Sequence, residues 1–129
     1  MDTVATRTAA RFRKAVQALE KALALEALPE SAERDAVLLR FELSAELAPK
    51  VLQRLLVERG ADVILPKDSV RAARAADIID EGEGETLLAI IDDRNRMVHD
   101  YSEEYALQLL ARIRSAYASV LLSVADKVC

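Results

Sequence analysis

The octapeptide RNRMVHDY, residues 94–101, gathers Arg94, Asn95, His99 and Tyr101 within about two helical turns, and His99 is the only histidine of the chain. An imidazole titrates near neutrality, so His99 has two readings. It is a proton-transfer group, or it is a neutral residue closing a helix end and bonding a carbonyl. Arg94 falls in the register of Leu87, Ile91 and Val98, which aims its guanidinium along an apolar stripe. A buried charge without a partner costs several kcal/mol. The stripe must therefore meet a carboxylate from another helix, a second subunit or a ligand.

On a continuous helix His99 stands about 140° around from Arg94, whereas Tyr101 lies only about 20° off the arginine's line. Arg94 and Tyr101 can then line one cleft, with His99 reaching it from a helix end or from a two-fold mate. Tyr101 also has a purely packing role open to it, as a staple over the first turn of the next helix with Ser102 as cap. Glu46 and Lys50, spaced i, i+4, form either a surface ion pair or a source of the carboxylate that Arg94 needs, with Glu42 one turn earlier.

These side chains require helices to hold them. Phe12, Val16, Leu19 and Leu23 predict a first helix from Thr3 to Leu28, ended by Pro29. Ser31 is the expected N-cap of a second helix from Ala32 to Arg59, kinked at Pro49 and closed by a left-handed Gly60. ADVILP reads as an ordered connection over one end of the core, too isolated for a sheet. Asp68 is the expected cap of a short helix SVRAARAADI, and IIDEGEGET reads as an acidic turn. Leu87, Ile90, Ile91, Arg94, Met97 and Val98 predict the helix whose last turn bears the octapeptide. Ser102, followed by Glu103 and Glu104, caps a final helix to about Val128, with Tyr105, Leu109, Ile113, Ala116, Val120 and Val124 inward. The expected fold is all-α: an antiparallel up-down bundle of four long helices plus one short helix.

Composition agrees. The 129 residues fit a single domain spanning 1–129, 52% hydrophobic, with three glycines, three prolines and no tryptophan. A net charge of −4 argues against general coating of nucleic acid, although 13 of the 18 basic residues are arginine, which suits a local anion site. Cys129 is the lone cysteine, so no internal disulfide forms, and no Cys/His cluster exists for zinc. No apolar run is long enough for a membrane span and no targeting segment is visible, so the expectation is a soluble protein of the reducing cytoplasm.

The residues Arg94-Asn95, three more, His99, one more and Tyr101 match the R-x4-H-x-Y signature of HEPN-domain proteins of the HepT-like, nucleotidyltransferase substrate-binding type. RFRKAVQALEKAL, LLRFELSAELAPKVL, ERGADVILP, IIDEGE and LLAIIDDRNRMVHDYSEEYA resemble that family in order along essentially the whole chain. The resemblance implies a helical bundle that forms a homodimer, works beside a minimal nucleotidyltransferase and needs no cofactor or metal. It implies one of two roles. The chain is the substrate-binding subunit of a two-component nucleotidyltransferase, or it is a ribonuclease toxin silenced when the partner adenylylates Tyr101.

Carried over by residue, Arg94 and His99 become the ribonuclease pair, Asn95 the polar residue after the arginine, and Glu46 and Lys50 the glutamate and lysine of the second helix. An imidazole can move the ribose 2′-hydroxyl proton or protonate the leaving oxygen, and a guanidinium can stabilise phosphorane charge. With one histidine per chain, an acid and base pair requires either a dimer or Arg94 and water. RNA or a nucleotide is the implied ligand. Where related sequences carry tryptophan in an ELAWK stretch, this chain has Pro49. A third reading, an interaction bundle whose motif only holds a helix end, does not require all three residue types at this spacing.

Overall fold

In the computed structural model of this chain the described residues are 2–25, 30–100 and 102–129. Helix α1, Val4–Leu23, starts where the Thr3 hydroxyl accepts the backbone N–H of Thr6 at 3.1 Å. Its stripe of Phe12, Val16, Leu19 and Ala22 is buried. The helix closes at Ala24, short of the expected Leu28: the buried stripe ends at Ala22, Leu25 lies outside the core, and packing carries most helical stability. The expected stop at Pro29 lies outside the described residues.

Helix α2, Glu30–Glu58, is about 43 Å long and forms the spine of the bundle. It begins one residue before Ser31, so Ser31 sits inside the helix and is not its cap. Pro49 is inside it as well, and the helix runs on, because Ala45, Ala48, Val51 and Leu52 are buried on both sides of the missing hydrogen bond. Gly60, at φ +90°, ends the rod as expected, with Ala61 N–H donating to Leu56 O and Gly60 N–H to Val57 O, both at 3.0 Å.

Residues 61–65 are irregular and pass over one end of the core through Ala61 and Val63, held by Gln53 Nε2 donating to Val63 O at 3.1 Å. Helix α3, Pro66–Ala75, starts at Pro66, whose fixed φ suits the first helical position. Asp68 therefore lies within the first turn and does not cap it.

The expected acidic turn IIDEGEGET is instead largely the start of α4, Glu81–Met97. Asp80 accepts the Glu83 N–H at 2.7 Å and the Glu83 carboxylate accepts the Asp80 N–H at 2.8 Å, a reciprocal cap that outweighs the helix cost of Gly82 and Gly84. Gly84 is also where the stem of Arg74 crosses, since a Cβ there would stand 3.4 Å from Arg74 Cδ.

The last rod begins under the Ser102 cap, whose hydroxyl accepts Tyr105 N–H at 3.2 Å. It comprises α5, Glu103–Arg112, a π turn, Ile113–Tyr117, and α6, Ala118–Val128. The π turn moves the buried face. Tyr117 and Leu121 are inward, while Ala116 is exposed and Val120 only half-buried, contrary to the expected α period. Tyr105, Leu109, Ile113, Tyr117 and Leu121 recur every four residues, a spacing that drifts about 40° per step on an α-helix, and the wider turn takes up the drift.

Helix α2 touches every other helix, α1 also packs on α6, and α4 packs on α3 and α6. One core joins Ala9 to Ala125. The all-α bundle of four long rods and one short helix is as expected. No described helix is long and apolar enough to cross a membrane.

Candidate functional site

Helices α2, α3 and α4 leave between them a cleft of about 430 Å³. From α2 come Glu46, Pro49, Lys50, Gln53 and Arg54, with Ile64, Pro66 and Ser69 closing one side. From α4 come Ile91, Arg94 and Asn95. Glu46, Lys50 and Arg94, singled out by spacing, and Asn95, named by the family resemblance, thus share one cleft.

Their pairing differs from the simplest expectation. Lys50 Nζ donates to Glu46 Oε1 at 3.3 Å, a half-exposed i, i+4 pair of the ordinary surface kind. Glu46 is thereby taken. Arg94 has no ion pair or hydrogen bond to any described residue, and its Nε is buried with its N–H unsatisfied. A buried donor in that condition costs about 1–3 kcal/mol. Of the partners that the sequence left open for Arg94, the intrachain carboxylate is absent among the described residues.

Next to Arg94 the chain shows the opposite arrangement. Asp93 is buried and receives Arg112 Nε and Nη2 at 2.9 and 2.8 Å, Tyr105 OH at 2.8 Å and Tyr117 OH at 2.6 Å. Burial alone would push its carboxyl up, but the bonds from Arg112, Tyr117 and Tyr105 more than offset this and hold it below the usual carboxylate range. Burial and the same carboxylate push the Tyr117 hydroxyl up to about 12 and that of Tyr105 higher still. Sequence reasoning missed this group. The signal was present in Asp93, three residues after Ile90 and four before Met97, an acid on an apolar line facing a Tyr, Arg and Tyr of the last rod.

Helix α4 ends at Met97 with Val98 as its cap, so the straight line from Arg94 does not extend to position 101. Tyr101 lies outside the described residues. His99 sits exposed in the turn beyond the helix and does not line the cleft. Its backbone N–H donates to Arg96 O at 3.0 Å, while its imidazole bonds no described residue, so the carbonyl-bonding reading of the ring is not what the structure shows. Asp100 fixes this turn, accepting Ser102 N–H at 3.0 Å, Ser102 OH at 2.7 Å and Arg96 Nη2 at 3.1 Å. Those bonds from Ser102, with Arg96, hold the Asp100 carboxyl below its usual range.

Chemically the cleft offers the Arg94 guanidinium, unpaired among the described residues, the Lys50 ammonium paired with Glu46, a second guanidinium on Arg54 and an amide on Asn95, facing an apolar wall of Pro49, Ile64 and Ile91. That combination suits an anion carried on a partly apolar body.

The family described as nucleotidyltransferase substrate binding protein like matches residues 8–128. A protein of solved crystal structure from Thermus thermophilus is 33% identical, with a TM-score of 0.81 over 91% of this chain and 98% of its own. The tri-AMPylated Shewanella oneidensis HEPN toxin, solved in complex with MNT antitoxin, is 14% identical, with a TM-score of 0.80 over 99% of this chain and 98% of that one. The second likeness is one of fold. Among curated proteins none matches.

Proposed function

We propose, since this chain belongs to the nucleotidyltransferase substrate binding protein-like family, that it is the substrate-binding subunit of a two-component system with a minimal nucleotidyltransferase. In this reading the cleft between α2, α3 and α4 takes a phosphate-bearing ligand. The observation that carries it is Arg94, a part-buried cation whose Nε has no described partner. A phosphate would accept from the terminal nitrogens of the Arg94 guanidinium, and Lys50, Arg54 and Asn95 stand on the same walls. Calorimetric titration with AMP tests the reading. Binding to the wild type, weakened by added salt and lost in Arg94→Met, is expected; equal affinity in the variant removes Arg94 from the site.

A specific observation favours a second reading, ribonuclease action. The His99 imidazole is exposed and bonds no described residue, so it is free for proton transfer. His99 would take the ribose 2′-hydroxyl proton as the 2′-oxygen attacks phosphorus, and Arg94 would hold the phosphorane charge. The P–O5′ bond breaks, leaving a 2′,3′-cyclic phosphate, and the 5′-oxygen takes a proton from water or from a second copy's histidine. A homodimer supplies that second copy. Adenylylation of Tyr101 by the partner would add bulk and a phosphodiester charge beside the motif. The HEPN toxin of like fold is itself AMPylated and bound to its antitoxin. Cleavage of RNA by the pure protein, abolished in His99→Ala, is the expected result; equal cleavage by both proteins rules the mechanism out.

A further inference from the structure

We propose that Asp93, with Arg112, Tyr105 and Tyr117, forms a positioning clamp that aims Arg94 into the cleft and anchors the turn carrying His99. The proposal rests on the reading of Arg94 as the ligand-binding cation.

Asp93 and Arg94 are consecutive on α4, about 100° apart around its axis. Pinning one therefore sets where the other points. The Asp93 carboxylate takes four donors from the last rod, two from Arg112 and one each from Tyr105 and Tyr117. Such a set of charge-assisted bonds resists any roll of α4. Rolling is what an unpaired Arg94 would otherwise favour, since turning its guanidinium toward water relieves the unsatisfied Nε.

The last rod departs from an α-helix at the place where the clamp needs it. Arg112 and Tyr117 are five residues apart, about 140° around an α-helix, too far for both to meet one carboxylate. The π turn between them, Ile113–Tyr117, lengthens the turn and returns Tyr117 to the side of Arg112. The Tyr117 ring is in turn stacked on Phe41 of α2, with centroids 5.7 Å apart and planes at 14°. Phe41 belongs to the helix that presents Glu46 and Lys50. Three rods are thus keyed to one carboxylate.

A second arm leads to the histidine. The Tyr105 ring lies beneath the Arg96 guanidinium, 4.2 Å from ring centroid to Cζ, and Arg96 also donates to Asp100, which follows His99 and accepts from Ser102. Loosening Asp93 would therefore disturb both ends of the motif.

The test is solution NMR on the full chain, following the Arg94 Nε–Hε and the His99 imidazole resonances. The comparison is Asp93→Asn against Glu83→Gln, the latter altering the other buried carboxylate, which accepts from Ser123 and Lys127 away from the cleft. Both variants should lose thermal stability. Only Asp93→Asn should shift or broaden the Arg94 and His99 signals. Equal effects of the two variants, or unchanged Arg94 signals in Asp93→Asn, overturn the proposal. If Asp93→Asn does not fold, Tyr117→Phe, which leaves the Arg112 pair in place, must move the same resonances relative to wild type or the clamp is refuted. AMP titration of the wild type reports separately on the cleft, so its failure is distinguishable from failure of the clamp.

Discussion

A guanidinium set against a helix bundle with no acceptor for its Nε among the described residues is a local cost that folding alone does not explain. Replacing Arg94 by Met keeps an unbranched stem and removes the unsatisfied donor, so the variant should be more stable by about 1 kcal/mol while AMP binding is lost. Chemical denaturation beside calorimetry checks both. Asp93 should behave in the opposite way, with Asp93→Asn losing about 3 kcal/mol at neutral pH. Because its folded carboxyl is held below the unfolded value near 4, that contribution is present above about pH 4 and fades as pH falls through the lower folded value. The stability gap between wild type and variant, measured by urea unfolding, should narrow only in that acid range. That Arg94, Glu46 and Lys50 line one cleft was legible from spacing because helical periodicity fixes direction, whereas Asn95 came only with the family resemblance. Asp93 was not, since one acid of the pair Asp92-Asp93 looks like its neighbour until the facing Tyr and Arg residues are placed.

Elements divided in the same way. Long apolar periods made α1, α2, α4 and the last rod legible, and Gly60 announced its left-handed cap. Ends were harder: Leu25 falls outside the core, and the Asp80–Glu83 cap turned a glycine-containing acidic stretch into helix. The π turn escaped because its only trace is a four-residue apolar spacing that α periodicity also half satisfies. It yields a sharp contrast between two single-residue deletions. Removing exposed Ser115 heals the π turn to an ordinary helix and keeps Leu121 and Val124 inward, so the protein should lose no more than about 2 kcal/mol. Removing exposed Gln108 from α5 rotates everything after it by about 100° and should unfold the chain. Thermal melts of the two deletion variants decide this. Equal tolerance would mean that the π turn does not set the register.

At the scale of the whole molecule, the chain has the HEPN fold and belongs to a family named for substrate binding beside nucleotidyltransferases. Its net charge of −4 leaves the local cluster of Lys50, Arg54 and Arg94 as the anion-attracting feature of the cleft, so ligand capture should be salt-sensitive. Incubation with a minimal nucleotidyltransferase and ATP should adenylylate Tyr101 if the second reading holds, read by mass spectrometry of the peptide. An unmodified peptide in the presence of an active partner would rule out silencing through Tyr101. The central claim is that Arg94 holds a phosphate, and the most direct measurement is the titration of wild type and Arg94→Met with AMP at two salt concentrations. The account predicts saturable, salt-weakened binding that vanishes in the variant while its fold and stability persist. Binding that survives the loss of Arg94 unchanged would contradict it.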